Sequence, residues 1–203
     1  MRRIATLAAG LVLALASVAV HARAQVGQPA PAFSLTDSNG TTHALADFKG
    51  RTVVLEWTNA ECPFVKKHYT PGNMQTQQGE SKASGVVWLT INSGAPGKQG
   101  HVDGAGANAI IAATGGQQAA YLLDPEGAAG RAYGAKTTPH LYVIDGEGVL
   151  RYAGAIDSNP SADPDDIAGA NQYVRAALAD LAAGRPVAVA NTQPYGCAVK
   201  YAN

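Results

Sequence analysis

Two cysteines, Cys62 and Cys197, are the side chains of this 203-residue sequence best suited to covalent chemistry. Pro63 follows Cys62 at once, and proline is favoured in the first turn of a helix, where its missing N–H costs nothing. A cysteine so placed sits at a helix N-terminus. Free backbone N–H groups and the positive end of the helix dipole there favour the thiolate, which is the nucleophile. Lys66, one turn further on, adds to the effect, and Glu61, next door, opposes it. Cys197 stands 135 residues away, in a tail formed by residues 187–203. Two readings of the pair are open at this point. One is a reactive couple; the other is a permanent staple, worth about 5 kcal/mol by loop entropy.

The segment that must position Cys62 is residues 52–69. Thr52, Val53, Val54, Leu55 and Trp57 predict a buried strand that runs through a tight turn into the Cys62 helix. Ahead of it, residues 26–37 form a proline-rich lead-in ending in a short edge strand. Ser38-Asn39-Gly40 then signals a hairpin turn, and residues 41–45 return. Pro71-Gly72-Asn73 interrupts the Cys62 helix, which resumes over residues 74–82. Residues 86–92 and 119–123 are apolar runs of strand length, with a small-residue helix over 105–114 between them and a helical turn over 127–133 after them. Residues 141–144 and 149–153 read as a hairpin about Asp145-Gly146-Glu147-Gly148. A helix over 167–183 closes the fold, with Val174, Ala177, Leu178 and Leu181 on one face and Gly184 and Pro186 as its stop. This alternation predicts an α/β fold, a parallel sheet with helices on both faces.

The ends differ from the middle. Arg2 and Arg3, the apolar residues 4–20 and the small-x-small triplet Ala22-Arg23-Ala24 predict a secretory signal peptide over residues 1–24, cleaved before Gln25. The product is then a periplasmic or secreted protein in an oxidising compartment, organised as one domain over residues 25–186 and a tail over 187–203. Removing Arg2, Arg3 and Arg23 leaves twelve of the fifteen basic side chains against fifteen acidic ones. Such a balance gives no reason to expect nucleic acid or an anionic membrane as partner.

With these elements in place, the stretch from Glu56 to Cys62, EWTNAEC, resembles the thioredoxin superfamily, in which a strand, a tryptophan and a cysteine open the active-site helix. Thr137-Thr138-Pro139, directly before a strand and hairpin, resembles the cis-proline loop of that fold. Glu56, six residues before Cys62, matches a buried carboxylate that helps deprotonate a thiol. The lead-in PAPAFSLTDSNG with DFKG resembles the alkyl hydroperoxide reductase and thiol-specific antioxidant branch, the redoxins. CPFV-KHY at the helix and NTQPYGC-VKY at the tail are closest to its peroxiredoxin-like group. The likeness runs over residues 26–201 and implies a central mixed sheet flanked by helices, with an N-terminal β-hairpin extension.

The resemblance also implies roles. Cys62 is the attacking thiolate, Cys197 resolves it by forming a disulfide, Glu56 assists proton transfer, and Thr138, Pro139 and Thr58 shape the site. The substrate is a hydroperoxide or a protein disulfide, an external thiol reduces the enzyme, and no cofactor is needed. Two departures qualify the match. Val65 stands where a thioredoxin has its second cysteine. Leu55 and Asn59 occupy the proline and Thr/Ser positions of the peroxiredoxin pattern, and its arginine has no counterpart beside TTPH; Arg131 and Arg151 are the candidates to replace it. The alternatives are a redox-inert binding or assembly module with a structural Cys62–Cys197 disulfide, and a copper or zinc carrier in which His68 and His140 join the two cysteines. Asp157, Asp163, Asp165 and Asp166 are acidic enough for a calcium loop, but helix capping by Asp165 and Asp166 explains them more simply. Tyr69, Tyr133, Tyr142 and Trp88 are assigned to the core.

Overall fold

β3 (Val53–Trp57) is buried along its whole length, and its alternating side chains supply both cores of the molecule. Val53, Leu55 and Trp57 enter one cluster with Leu89, Leu122, Tyr133 and Tyr142. Val54 enters the other, with Met74, Trp88, Leu141, Tyr152 and Val174. This is the period-two alternation of a strand covered on both faces. The computed structural model describes residues 23–202, so the expected leader, apart from Arg23 and Ala24, lies outside the described residues.

β3 pairs in parallel with β4 (Val87–Asn92), and β4 in parallel with β5 (Ala120–Leu123). Antiparallel strands extend this centre on both sides. β7 (His140–Ile144) and β8 (Leu150–Gly154) form the predicted hairpin beyond β3. β1 (Ser34–Asp37) pairs with β5, and β2 (Thr42–Ala44) takes the edge, so the lead-in is the expected β-hairpin extension. The sheet is mixed rather than parallel throughout. α1 (Pro63–Tyr69) follows β3 directly. Gly72, at φ +85°, turns the chain into α2 (Asn73–Ala83), which lies against β4. α3 (Gly104–Thr114) is capped by Asp103, whose carboxylate accepts from the Gly106 N–H. α4 (Ala128–Tyr133) contributes Ala129 and Tyr133 to the first core.

The closing helix is shorter than its apolar pattern predicts. α5 runs Tyr173–Ala182, Pro164–Ile167 is a separate 3₁₀ turn, and the residues between turn and then bridge, Gln172 pairing with Asp157. Competing hydrogen bonds explain the gap. The Tyr173 N–H donates to Ile156 O, and Asn171 O accepts from the Ser158 N–H, so this backbone pairs with the chain after β8 instead of with its own preceding turn. The cap of the 3₁₀ turn is Asp163, which accepts from the Asp165 N–H; Asp165 and Asp166 lie inside the turn.

β6 (Thr137–Thr138) lies outside the main sheet. It pairs antiparallel with β9 (Cys197–Ala198), in the register Thr137 with Ala198 and Thr138 with Cys197. The tail is therefore a strap laid across the end of the fold. Upstream, its backbone is tied to Ala153, and the Thr192 hydroxyl accepts from the Ala155 N–H. Downstream, the Val199 N–H donates to Lys136 O, and the Tyr201 hydroxyl donates to Ala135 O. Trp57, Trp88, Tyr133 and Tyr142 are buried as expected, and Tyr69 is half-buried. Trp57 donates its indole N–H to Ser93, which donates to Asp124; Asp124 also accepts from the Ala129 and Gly130 N–H groups that start α4.

Candidate active site

Cys62 is the N-cap residue of α1 and has no exposed surface. Its Sγ lies 2.7 Å from the Sγ of Cys197 and 3.2 Å from the carbonyl oxygen of Thr138. The Cys197 N–H donates to it at 3.4 Å. Three chain segments thus converge on one sulfur: the helix start, the loop with the cis Thr138–Pro139 bond, and the strap. Cys197 is half-exposed, and both cysteines are present as thiols.

The two thiols are unequal. Burial pushes the Cys62 thiol up, but hydrogen bonds from the Cys197 thiol and from the Cys197 and Val65 N–H groups outweigh it and hold Cys62 below its ordinary value. Cys197 moves the other way, raised by burial, by the hydrogen bond it gives to Cys62 and by the neighbouring negative charge, with Lys200 opposing. Cys62 is therefore the more acidic of the two thiols and the one more readily converted to the thiolate. Glu61 does not counteract this through a contact with the sulfur, because its carboxylate accepts from Gln99.

Of the residues assigned to the site from sequence, Cys62, Cys197, Thr138 and Pro139 come together. Gly196 shows how closely. A Cβ there would lie 2.0 Å from Thr138 O and 3.4 Å from the Pro139 nitrogen, and its φ of +129° suits only glycine. Thr58 bonds through its backbone to Ile91 and lines a cleft with Val65 and Tyr69 instead of touching either sulfur. Glu56 also stands apart. Its fully buried carboxylate accepts from Trp88, Tyr69, Gln78 and Thr90, and from neither cysteine. Burial raises its pKa even against these four donors.

Neither candidate arginine replaces the one missing beside Thr138. Arg131 donates to Ala202 O and lies over the Tyr201 ring, and Arg151 pairs with Asp145 and Glu147. The two histidines are likewise engaged elsewhere. His140 bonds the Tyr142 hydroxyl, and burial lowers its pKa to about 3. His68 contacts the Tyr195 hydroxyl and Asn73, and burial lowers its pKa to about 4. Among the described residues, no group of three His, Cys, Asp or Glu side chains is arranged to hold a metal.

A cluster beside the site has no counterpart in the sequence reading. Lys67 is 1% exposed, and its ammonium donates to Asp157 at 3.1 Å, to Asn159 O at 2.7 Å and to the Tyr195 hydroxyl at 3.3 Å. The Tyr195 hydroxyl itself donates to the other oxygen of Asp157. Of the adjacent pair, Lys66 faces solvent and Lys67 faces inward. The available signal was Tyr195, two residues before the tail cysteine.

Comparison with known proteins adds the following. The family described as Redoxin matches residues 25–172. An uncharacterized conserved protein from Geobacillus kaustophilus superposes with a TM-score of 0.73 at 27% identity, covering 88% of this chain and 93% of its own. A hypothetical protein from Sinorhizobium meliloti 1021 gives 0.74 at 24% identity, covering 88% and 95%. A putative thiol:disulfide interchange protein DsbE from Chlorobium tepidum gives 0.53 at 25% identity, covering 64% and 84%. No curated protein matches.

Proposed function

The chain belongs to the Redoxin family of thioredoxin-fold thiol oxidoreductases, and from that premise we propose that Cys62 and Cys197 are its redox couple, exchanging with the thiols and disulfides of other proteins. The observation that carries this reading is the 2.7 Å approach of two sulfurs from segments 135 residues apart, at a helix N-terminus and beside the cis-proline loop. The Chlorobium neighbour, whose title names disulfide interchange, supports the same chemistry. The leader expected over residues 1–24 makes the setting periplasmic or secreted, with a redoxin domain over 25–186 and the strap beyond it.

In the reductive direction, the Cys62 thiolate attacks a partner disulfide. A Cys62–partner bond forms as the partner's second sulfur leaves as thiolate. Cys197, once deprotonated, attacks the Cys62 sulfur, the partner's first thiolate leaves, and a Cys62–Cys197 disulfide remains. An external dithiol restores it. Its thiolate attacks Cys197, the half-exposed sulfur, and Cys62 leaves, the better leaving group because its pKa is the lower. The dithiol's second sulfur then displaces Cys197 and becomes oxidised. A hydroperoxide enters the same couple by oxidising Cys62 to the sulfenic acid with release of an alcohol, and Cys197 then condenses with loss of water. Disulfide exchange is the favoured reading, because neither Arg131 nor Arg151 stands at Cys62 to polarise a peroxide.

Full burial of Cys62 favours one other reading, a purely structural disulfide. Equilibration of the full chain with glutathione buffers separates the two. A redox couple has a potential between about −120 and −270 mV, whereas a structural disulfide lies below about −300 mV. Retention of full exchange activity by Cys62→Ser would also sink the proposal.

A further inference from the structure

Cys62 has no exposed surface while the strap is in place, so any substrate must wait for the strap to move. The β6–β9 pairing that holds Cys197 is two residues long on each side, and a ladder that short is weak by itself. The anchor nearest to Cys197 on its upstream side is Tyr195. Its ring packs edge-on against Phe64 of α1 at 5.8 Å, and its hydroxyl enters the Lys67–Asp157 cluster.

The spacing is matched. The strap bends at Gly196, between Tyr195 and Cys197, and residues 62 and 67 are separated by about 7.5 Å along a helix. Tyr195 meets Lys67 while Cys197 meets Cys62. The ion pair is also satisfied without the strap. Lys67 keeps Asp157 and Asn159 O as acceptors when the Tyr195 hydroxyl is gone, and Asp157 keeps Lys67 and the Asn159 N–H as donors. The ion pair is a preformed socket, and the phenol is the removable plug.

We propose that Lys67 and Asp157, acting through the Tyr195 hydroxyl, are positioning residues that lock the strap over Cys62 and so set how often the sulfur is uncovered. The proposal rests on the reading of Cys62 and Cys197 as a redox couple, since it assigns the lock to that couple. Tyr195 touches neither sulfur in any contact of the structure and acts only through the strap it carries.

The test uses the full chain with a single remaining thiol, Cys197→Ser, and follows alkylation of Cys62 by iodoacetamide at pH 7. Adding Tyr195→Phe keeps the ring on Phe64 and removes only the hydroxyl. A hydrogen bond to charged partners is worth roughly 1.5–3 kcal/mol, so alkylation is expected to accelerate about tenfold or more. Val53→Ala, in the other core, against which no strap residue is packed among the described residues, serves as the control that lowers overall stability without touching the strap. An acceleration below fivefold for Tyr195→Phe overturns the proposal, as does an equal acceleration for Val53→Ala. Failure of the redox reading shows separately, as a wild-type Cys62–Cys197 disulfide that does not form in glutathione disulfide or that glutathione buffers do not reduce.

Discussion

Glu56 and Asp157 are both buried carboxylates in contact with the helix that carries Cys62, Glu56 through Tyr69 and Asp157 through Lys67. Glu56 is surrounded by four neutral donors from the framework, with no cation among them. Burial wins there, and the carboxyl is displaced towards its neutral form. Asp157 has an ammonium against one oxygen and a phenol against the other, and that phenol belongs to the strap. One carboxylate ties strand, helix and sheet into a fixed frame; the other ties the frame to a segment that must move. Burial alone does not separate these roles. The identity of the partners does.

The contrast is broken most forcefully at Lys67. Lys67→Met strands the Asp157 charge in the interior and is expected to cost about 3–5 kcal/mol in urea denaturation, whereas Lys67→Met combined with Asp157→Leu recovers most of that loss. A result in which the double variant is no better than the single would mean that the pair is not the element that matters.

Acid comes next in size. His68, in the Asp157 cluster, has a folded pKa of about 4 against 6.5 when exposed. The unfolded chain binds the extra proton between those values, so the stability His68 confers is whole above pH 6.5 and declines as pH falls to 4, by about 3 kcal/mol at most. His140, held at about 3, adds the same sign over an overlapping window that reaches further down. Glu56 has the opposite sign, because its raised folded pKa makes its contribution complete below 4.5 and lost as pH rises through the folded value. Denaturation midpoints at pH 7 and pH 4.5 check this, with His68→Asn expected to shrink the difference.

Glu56→Gln ranks third. It retains the shape but turns an acceptor into a donor facing other donors, at a cost of about 1–3 kcal/mol. The pH of half-maximal Cys62 alkylation is expected to stay within about half a unit, since the carboxylate bonds neither sulfur; a larger shift would restore it as a proton-transfer group. Smallest is Arg175→Ala, which removes an exposed pair with Glu80 and is expected to change stability by about 0–1 kcal/mol.

Much of this was legible in the sequence because the signals were local. Pro63 after Cys62 marked the helix start, and the 86–92 run marked β4. Thr138-Pro139 before a strand marked the loop that meets the sulfur. What failed was competition across distance. Nothing between residues 167 and 172 announces that the backbone will bond to Ile156 and Ser158 instead of continuing a helix. Likewise, a Lys-Lys pair does not say which ammonium turns inward, because Asp157 and Tyr195, the partners that decide it, lie 90 and 128 residues further along. The Glu56 spacing matched a known carboxylate position, but its role depends on Trp88, Gln78 and Thr90, which come from other elements.

The chain has two tryptophans, and the alternation of the sheet puts one in each core. Trp88 donates to Glu56, the fixed node. Trp57 is linked through Ser93 and Asp124 to Gly130, where the space a side chain would need is filled by Tyr201 of the strap. Trp57→Phe and Trp88→Phe therefore split the intrinsic fluorescence into two channels. The Trp57 indole senses the strap's downstream anchor, the Trp88 indole lies in the core on which the upstream residues Val187 and Tyr195 pack, and the two channels together make strap motion visible in real time without an attached dye.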